Sequence, residues 1–185
     1  MSINILTDLA VLGIAHQGPI TTSKIAVIAK SLVPELWSPT IGVIDAAVRR
    51  NLQIEYLARE KEEAKSPLLK LTETGHTQFQ KLLLCDPGDH ISSATQAVET
   101  VQFCFLDAAS RTTAEMVLTR LQNQQKKRLK ALRDRCRNCP HEGRYMKLWM
   151  GTEQRRLAAV KQMLAIVSVN RDNMESTYDL PRSIQ

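Results

Sequence analysis

Three short apolar-periodic stretches lie within the first fifty residues, and each is bounded by proline or glycine. The stretch ILTDLAVLGIAH (5–16) stops at Gly18-Pro19, the next stops at Pro34, and the third opens at Ser38-Pro39. Proline and glycine end helices or start new ones, so the pattern predicts three short helices. Three helices that each carry one apolar stripe bury those stripes against one another, which predicts a small helical domain.

The third helix, expected from Ser38 to about Arg50, has two unlike faces. Ser38 is expected to cap it and Pro39 to fit its first turn, where no N–H group is needed. An inward apolar stripe is predicted for Ile41, Ile44 and Val48. The opposite face is short and flat and ends in two positive charges: Gly42, Val43, Ala46, Arg49 and Arg50.

After Asn51 the periodicity changes from helical to alternating. QIEYLARE (53–60) is predicted as a strand with Leu57 on the side opposite Ile54, EKEEAKSP (60–67) as a turn, and LLKLTETG (68–75) as a returning strand that runs into a helix. Helix, helix, helix, hairpin and helix is the order of a winged helix-turn-helix. The sequence therefore predicts a mainly α protein whose residues 1–84 form this domain, with the hairpin as its wing.

The second half is predicted to be helical throughout. Helices are expected over 92–108, from 112 to 137, and from Met146 to Val167, with a turn at 138–143. We expect residues 92–169 to form a dimerisation domain and 170–185 to be a mobile tail. The apolar residues assigned to dimerisation are Val98, Val101, Phe105, Leu118, Leu121, Leu129, Leu132, Leu157, Val160, Leu164 and Val167.

The charge distribution suggests a polyanionic partner. The net charge is +6, and residues 111–156 alone hold 13 basic and 4 acidic side chains. No Lys or Arg precedes Lys24, which is unlike a secretory signal, and no apolar run approaches the roughly 18 residues of a membrane span. We therefore expect a cytoplasmic protein that does not enter a membrane.

Residues 9–84 resemble the DNA-binding domain of the PadR-like transcriptional regulators. The resemblance lies in LAVLGIAHQGPI (9–20), PTIGVIDAAVRRNLQ (39–53) and LLKLTETGHTQF (68–79), the last of which is similar to the family's Leu-Thr-Glu-X-Gly turn. It implies a homodimer that binds double-stranded DNA at a pseudo-palindromic operator, with a small-molecule effector as a further partner. A MarR-type winged-helix regulator is the neighbouring alternative.

A helix that enters the major groove, about 12 Å wide, needs a slim contacting face, and the face at Gly42 and Ala46 is slim. The alternative is that this face is a second buried surface, or that the arginines merely complement the helix dipole. Phosphate contacts are expected from the second helix and the wing, although the acidic residues of the wing also fit a solvated loop. The predicted DNA-binding residues are Thr22, Lys24, Ser38, Thr40, Gly42, Val43, Ala46, Arg49, Arg50, Arg59, Lys61 and Lys65.

A second basic segment, QKKRLKALRDRCR (125–137), carries seven Lys or Arg residues against Asp134. Such a run can bind nucleic acid directly. Leu129 and Leu132 keep one of its faces for packing, so we favour the solvated face of a dimerisation helix as its interpretation.

Cys136, Cys139 and His141 resemble half of a zinc site or a redox pair, but zinc sites normally need four ligands and no second pair has suitable spacing. We expect inert thiols and no metal. No nucleophile elbow, phosphate-binding glycine loop or paired-carboxylate pattern is present, so we expect neither catalysis nor a cofactor. The alternatives to an operator-binding regulator are a winged-helix protein-interaction module and a regulator switched by its cysteines.

Overall fold

The computed structural model describes residues 3–60, 67–88, 92–137 and 144–173 of the 185-residue chain. The chain divides into two compact units, Met1–Thr113 and Ala114–Gln185. Its helices are α1 (Ile3–His16), α2 (Thr22–Leu32), α3 (Ile41–Gln53), α4 (Glu73–Leu84), α5 (Ser93–Cys104), α6 (Arg111–Arg137) and α7 (Arg144–Asn173), and its strands are β1 (Leu57–Arg59) and β2 (Leu69–Leu71). In the described part of the chain, none of the helices combines the length and the apolar character needed to span a bilayer.

The starts of α2 and α3 are fixed by threonine caps. Thr21 Oγ1 accepts a hydrogen bond from the Lys24 N–H group at 3.4 Å, and Thr40 Oγ1 accepts one from the Val43 N–H group at 3.4 Å. The prediction that Ser38 caps the third helix was therefore wrong. Pro39 lies buried before the cap, and α3 begins at Ile41.

The core of the first unit is built around α1, which packs against α2, α3, α4 and α5. Leu9 and Leu12 are fully buried there, as are Ile25 of α2, Ile44 of α3 and Phe79 of α4. This confirms the prediction that the apolar stripes of the first helices pack together. The helix-turn-helix that carries α3 is thus packed on an apolar core.

The helix α5 belongs to this same core. A Cβ atom on Gly13 of α1 would lie 2.6 Å from the Phe105 ring, so the two elements touch where α1 has no side chain. Val98, Val101 and Phe105 are 2%, 0% and 3% exposed. The sequence assigned these three residues to dimerisation and placed a boundary between residues 84 and 92. Because they are buried within their own chain, they present no surface to a second copy, and the unit extends to Thr113.

The wing is a short antiparallel hairpin with Leu57 opposite Leu71 and Arg59 opposite Leu69. It is tied to the domain by Ile20, whose N–H and carbonyl groups both pair with Leu69, at 2.9 and 2.8 Å. The first strand is shorter than the predicted 53–60, because α3 continues to Gln53. Leu57 is the inward residue of β1 and is 2% exposed, whereas Ile54 is 50% exposed.

The Leu-Thr-Glu-Thr-Gly turn (71–75) locks the wing to the end of α3. Thr72 Oγ1 caps α4 by accepting from the Gly75 N–H group at 3.0 Å, and it also donates to the Glu55 carbonyl at 2.7 Å. A Cβ atom on Gly75 would lie 2.1 Å from the Tyr56 carbonyl oxygen, so no side chain fits there. The turn therefore fixes the angle at which the wing leaves α3.

The second unit contains most of α6 and all of α7, which confirms the predicted long helices. Their buried residues include Leu118, Leu121, Leu129, Leu132 and Val160, while Leu157, Leu164 and Val167 are half-buried. The predicted turn at 138–143 lies outside the described residues. Of the predicted tail, 170–173 are helical as the end of α7, and 174–185 lie outside the described residues.

Candidate nucleic-acid interface

The outward face of α3 is lined by small or extended polar side chains. At about 100° per residue, Gly42, Ala46, Arg49 and Gln53 fall within an arc of roughly 60°, and all four are exposed. The opposite face carries the buried residues Ile44, Ala47, Val48 and Asn51. The slim face predicted from the sequence is therefore not covered by the described part of its own chain, and Gln53 extends it by one turn.

Ile41 lies on the exposed surface and not in the predicted inward stripe. It is 61% exposed and its neighbour Val43 is 39% exposed. The stripe prediction failed because the helix starts at Ile41, so this residue lies in the first turn, beyond the edge of the core that covers Ile44. The exposed start of α3 is consequently more apolar than expected.

Arg49 is the arginine that faces outward. Its side chain is 75% exposed, and its Nη2 atom lies 2.7 Å from Oδ2 of Asp45 one turn earlier. An exposed pair of this kind contributes at most about 1 kcal/mol, so a phosphate or base can replace the carboxylate at little cost. Arg49 is therefore available to a ligand.

Arg50 makes a structural contact within its own chain. Its Nη2 atom donates to Oδ1 of Asp8 at 2.6 Å, and its side chain is 34% exposed. The same Asp8 oxygen accepts from Asn51 Nδ2 at 2.8 Å, and Asn51 also donates to the Ala47 carbonyl. Arg50 lies on the flank of α3 that faces α1, and its charge there is matched by the carboxylate. It fixes α3 on α1 and does not extend the outer face.

An open groove lies beside α3. Its volume is about 450 Å³, and it is bounded by the first turn of α2, the first turn of α3 and the base of the wing; the lining residues are Thr21, Thr22, Ser23, Ile41, Gly42, Asp45 and Pro67. Thr22 is half-buried at the start of α2, and Lys24 is exposed in the same turn. The N–H groups of a helix start favour an anion, so this edge of the groove suits a phosphate. The structure thus places Thr22 and Gly42 on one concave surface, and Lys24 lies in the same helical turn as Thr22 without lining the groove.

Ser38 and Thr40 are both exposed at the entrance to α3. The Thr40 hydroxyl uses a lone pair in capping the helix, which leaves its proton free to donate to an acceptor. Both hydroxyls are close in sequence to the slim face and can bind a phosphate oxygen.

The wing has two exposed basic residues among those described. Arg59 ends β1, and Lys70 lies on β2 opposite Ala58. Lys61 and Lys65, which the sequence also assigned to DNA binding, lie outside the described residues. Lys70 was not among the predicted residues, although a residue between Leu69 and Leu71 on a strand is expected to lie on the opposite face from them. Gln53 was missed because the helix was expected to end near Arg50.

The thiols do not form a reactive cluster within the described residues. Cys136 is buried, Cys85 is half-buried and Cys104 is exposed. Partial burial raises the pKa of the Cys104 thiol, which disfavours the reactive thiolate at neutral pH. Cys139 and His141 lie outside the described residues, and no group of three metal-binding side chains is found in the parts of the chain that the structure describes.

Two histidines meet where the end of α1 approaches α4. The Nδ1 atoms of His16 and His76 lie 3.1 Å apart, and the His16 ring also packs on Phe79 with ring centres 5.2 Å apart. Burial, and then the charge of His76, lower the pKa of His16. One ring nitrogen must donate and the other accept, so this contact is favourable when at least one ring is neutral.

Together, these elements define a winged helix-turn-helix protein in which α3, the second helix of the motif, has an exposed outer face. Neither the scan against protein-family models nor the search of the curated proteins finds a match. Among solved structures, the chain is similar to PadR of Bacillus subtilis in complex with p-coumaric acid, with 16% identity, 91% of this chain and 98% of that chain covered, and a TM-score of 0.40. It is likewise similar to Bacillus subtilis PadR in complex with operator DNA (16% identity, 86% and 98% covered, TM-score 0.40). A third similar structure is a PadR-like transcriptional regulator from Bacillus cereus (10% identity, 92% and 98% covered, TM-score 0.40).

Proposed function

We propose that this protein is a PadR-like transcriptional regulator that binds double-stranded DNA through α3. The observation that carries the proposal is the uncovered, slim outer face of that helix, on which Gly42, Ala46, Arg49 and Gln53 are aligned and exposed. A helix with such a face can approach the base edges in the major groove closely. The family resemblance of the sequence, which lies in this helix and in the turn at 71–75, supports the same function.

The side chains on this face fit defined base contacts. Arg49 can bind the O6 and N7 atoms of guanine with two hydrogen bonds, and Gln53 can bind adenine in the same way. The exposed methyl groups of Ile41, Val43 and Ala46 fit thymine methyl groups. Asp45 is released by Arg49 when that arginine binds DNA, and can then accept from the amino group of cytosine.

We propose that the contacts with the DNA phosphate backbone come from both sides of α3. Thr22 and Lys24 at the start of α2, with the hydroxyl groups of Ser38 and Thr40, would hold phosphates on one side. Arg59 of the wing would hold them on the other side, and Lys61 and Lys65, which lie outside the described residues, remain predicted phosphate contacts. Such contacts fix the register of the protein on the duplex and carry little sequence information.

We further propose that the protein acts as a homodimer on a pseudo-palindromic operator, and that α7 pairs the two copies. The most exposed apolar side chains of α7 lie within one arc of about 100°: Tyr145 (83%), Leu148 (61%), Trp149 (55%), Met163 (40%) and Ile166 (62%). They form an apolar patch towards each end of the helix, with Thr152 and Arg156 between them on the same arc, and exposed apolar patches favour a protein partner. This arc is the surface that a second copy would cover, more than the half-buried Leu157, Leu164 and Val167.

Four of these residues lie at sequence positions that are symmetric about one point in α7. Tyr145 and Ile166 are equally far from the midpoint between Arg155 and Arg156, and the same holds for Leu148 and Met163. Antiparallel pairing of α7 with its copy across a two-fold axis at that midpoint would cover both pairs at once, as a self-complementary interface requires. Two α3 helices would then read two half-sites, and a small-molecule effector would act by changing their spacing.

The test is a band-shift assay of the full-length protein on the DNA upstream of its own gene, with excess unrelated DNA present. Arg49→Ala should weaken binding by roughly 10-fold or more, whereas Lys81→Ala, which removes an exposed charge from α4, should not. A wild-type protein that binds the upstream and unrelated DNA equally well would contradict operator binding.

A further inference from the structure

Four basic residues of the segment 125–137 lie on one side of α6. At about 100° per residue, Lys126, Lys130, Arg133 and Arg137 fall within an arc of roughly 60°, whose centre lies about 70° from Leu129 and about 130° from Leu132. All four are exposed. We call these four residues the basic row. At a rise of 1.5 Å per residue it extends for about 16 Å along the helix.

No carboxylate of the described residues neutralises the row. The exposed arginines Arg49 and Arg156 each pair with an acid one turn away on their own helix. In the row, Lys126 donates to the neutral Gln122 side chain at 2.9 Å. Asp134, the one acid of the segment, is exposed beside the row, but it lies within 4 Å of no basic group in the described chain.

Such a row is unfavourable for an isolated helix. Its members are spaced by four, three and four residues, and each like-charge pair at that spacing destabilises a helix by a few tenths of a kcal/mol. The helix dipole favours positive charge only in the last turn, where Arg137 lies. It gives no stabilisation to Lys126 and Lys130, which lie two to three turns earlier. A polyanion bound along the row would offset the repulsion.

We propose that the basic row is a second DNA-binding surface, which contacts phosphates independently of sequence. The inference rests on the proposed function, because it takes DNA as the polyanion that α3 already binds. Four cations in a line on one helix face match the regularly spaced charges of a nucleic-acid strand, and Lys and Arg bind phosphate oxygens whatever the base sequence. The row strengthens binding to every duplex, and α3 selects the operator.

The experiment uses full-length protein in which Lys126, Lys130, Arg133 and Arg137 are all replaced by Gln. The matched control carries the same change in net charge at exposed positions outside the row, with Lys127, Arg135, Lys147 and Lys161 replaced by Gln. The exchange Lys126→Arg, Lys130→Arg, Arg133→Lys and Arg137→Lys keeps the charge of the row. Binding to an operator duplex and to a random-sequence duplex of equal length is measured between about 50 and 200 mM salt, where binding that depends on phosphate contacts weakens steeply.

The row variant should bind both duplexes more weakly by the same factor, about 10-fold or more. Its salt slope should fall by about 0.9 for each phosphate that the variant no longer neutralises, and the charge-keeping exchange should restore both values. Equal weakening in the row variant and the control would overturn the proposal, because the effect would then be one of net charge. Unchanged binding in the row variant would overturn it as well.

The two proposals fail in different ways. If the wild type binds random and operator duplexes equally and the row variant loses that binding, the row is a DNA surface and operator recognition by α3 is wrong. If the row variant keeps full affinity while Arg49→Ala loses operator preference, the row proposal is wrong and the proposed function stands. Tighter binding of the row to a random RNA duplex than to DNA would also contradict the inference.

Discussion

Arg50 Nη2 lies 2.6 Å from Asp8 Oδ1, and this contact joins α3 to α1. The neighbouring Arg49 extends outward and is 75% exposed. The two adjacent arginines therefore differ: Arg50 positions the helix, and Arg49 is the one for which we propose contact with DNA.

Replacement of each arginine should separate these roles. Arg50→Ala should lower the free energy of unfolding by about 1–3 kcal/mol, because it removes a charge-assisted hydrogen bond and leaves Asp8 with Asn51 as its remaining donor at that oxygen. Arg49→Ala should change it by less than about 0.5 kcal/mol. Urea unfolding of both variants measures the difference, and equal losses of stability would contradict the assignment.

Two glycine substitutions should have opposite effects on stability. Gly75→Ala would place a Cβ atom 2.1 Å from the Tyr56 carbonyl oxygen, so it should destabilise the protein by about 2 kcal/mol or more. At Gly42 the nearest atom, Thr40 Oγ1, is 4.0 Å away, and Gly42→Ala should stabilise α3 by up to about 1 kcal/mol. Gly42→Ala should nevertheless bind DNA more weakly, since it thickens the contacting face. Thermal unfolding and a band shift measure the two effects, and tighter DNA binding by Gly42→Ala would count against the groove geometry.

The contact between His16 and His76 predicts a pH dependence of stability. The pKa of His16 in the folded protein is below its ordinary value of 6.5, so the unfolded chain binds more protons in the window just below that value. The free energy of unfolding should therefore increase with pH between about 5.5 and about 7.5, which is about one unit on either side of 6.5. His76→Gln should reduce the dependence, because it removes the second cause of the shift and leaves burial. Urea unfolding across the range tests this, and an unchanged dependence in His16→Gln would show that another group is responsible.

The α7 stripe predicts a dimer that two substitutions should break. Leu148→Lys with Ile166→Lys places charges on the proposed two-fold interface and should shift the protein from dimer to monomer in sedimentation experiments. Val27→Lys is the control, since Val27 is 70% exposed on α2 and lies in the other unit. A wild-type protein that is monomeric at all concentrations would contradict the homodimer, and with it the two half-sites.

The helices and the winged arrangement could be predicted from the sequence because periodicity and proline positions determine them locally. The end of α3 could not be predicted, because no local signal shows whether Gln53 ends a helix or starts a strand. The turn at Ile54 and Glu55 is held by Thr72 and Thr74, which are distant in sequence. That error also hid Gln53 as a site residue.

The role of each charged side chain was the least predictable part of the site. Arg49 and Arg50 are equivalent in pattern, and their difference depends on Asp8, which lies more than forty residues away. In the same way, Val98 and Val101 form a helical stripe that would fit a partner equally well, and the structure shows that α1 and its neighbours already cover it. Long-range packing decides these roles, and a single sequence does not encode it in any local signal.

The central claim is that the outer face of α3 lies against the bases. It is tested most directly by a photo-cross-linking amino acid placed at position 46 in full-length protein bound to the operator duplex, with position 81 of α4 as the matched exposed control. We expect a cross-link from position 46 to a base within a half-site and none from position 81. If position 46 cross-links to protein but not to DNA while the complex is intact, α3 is not the recognition helix.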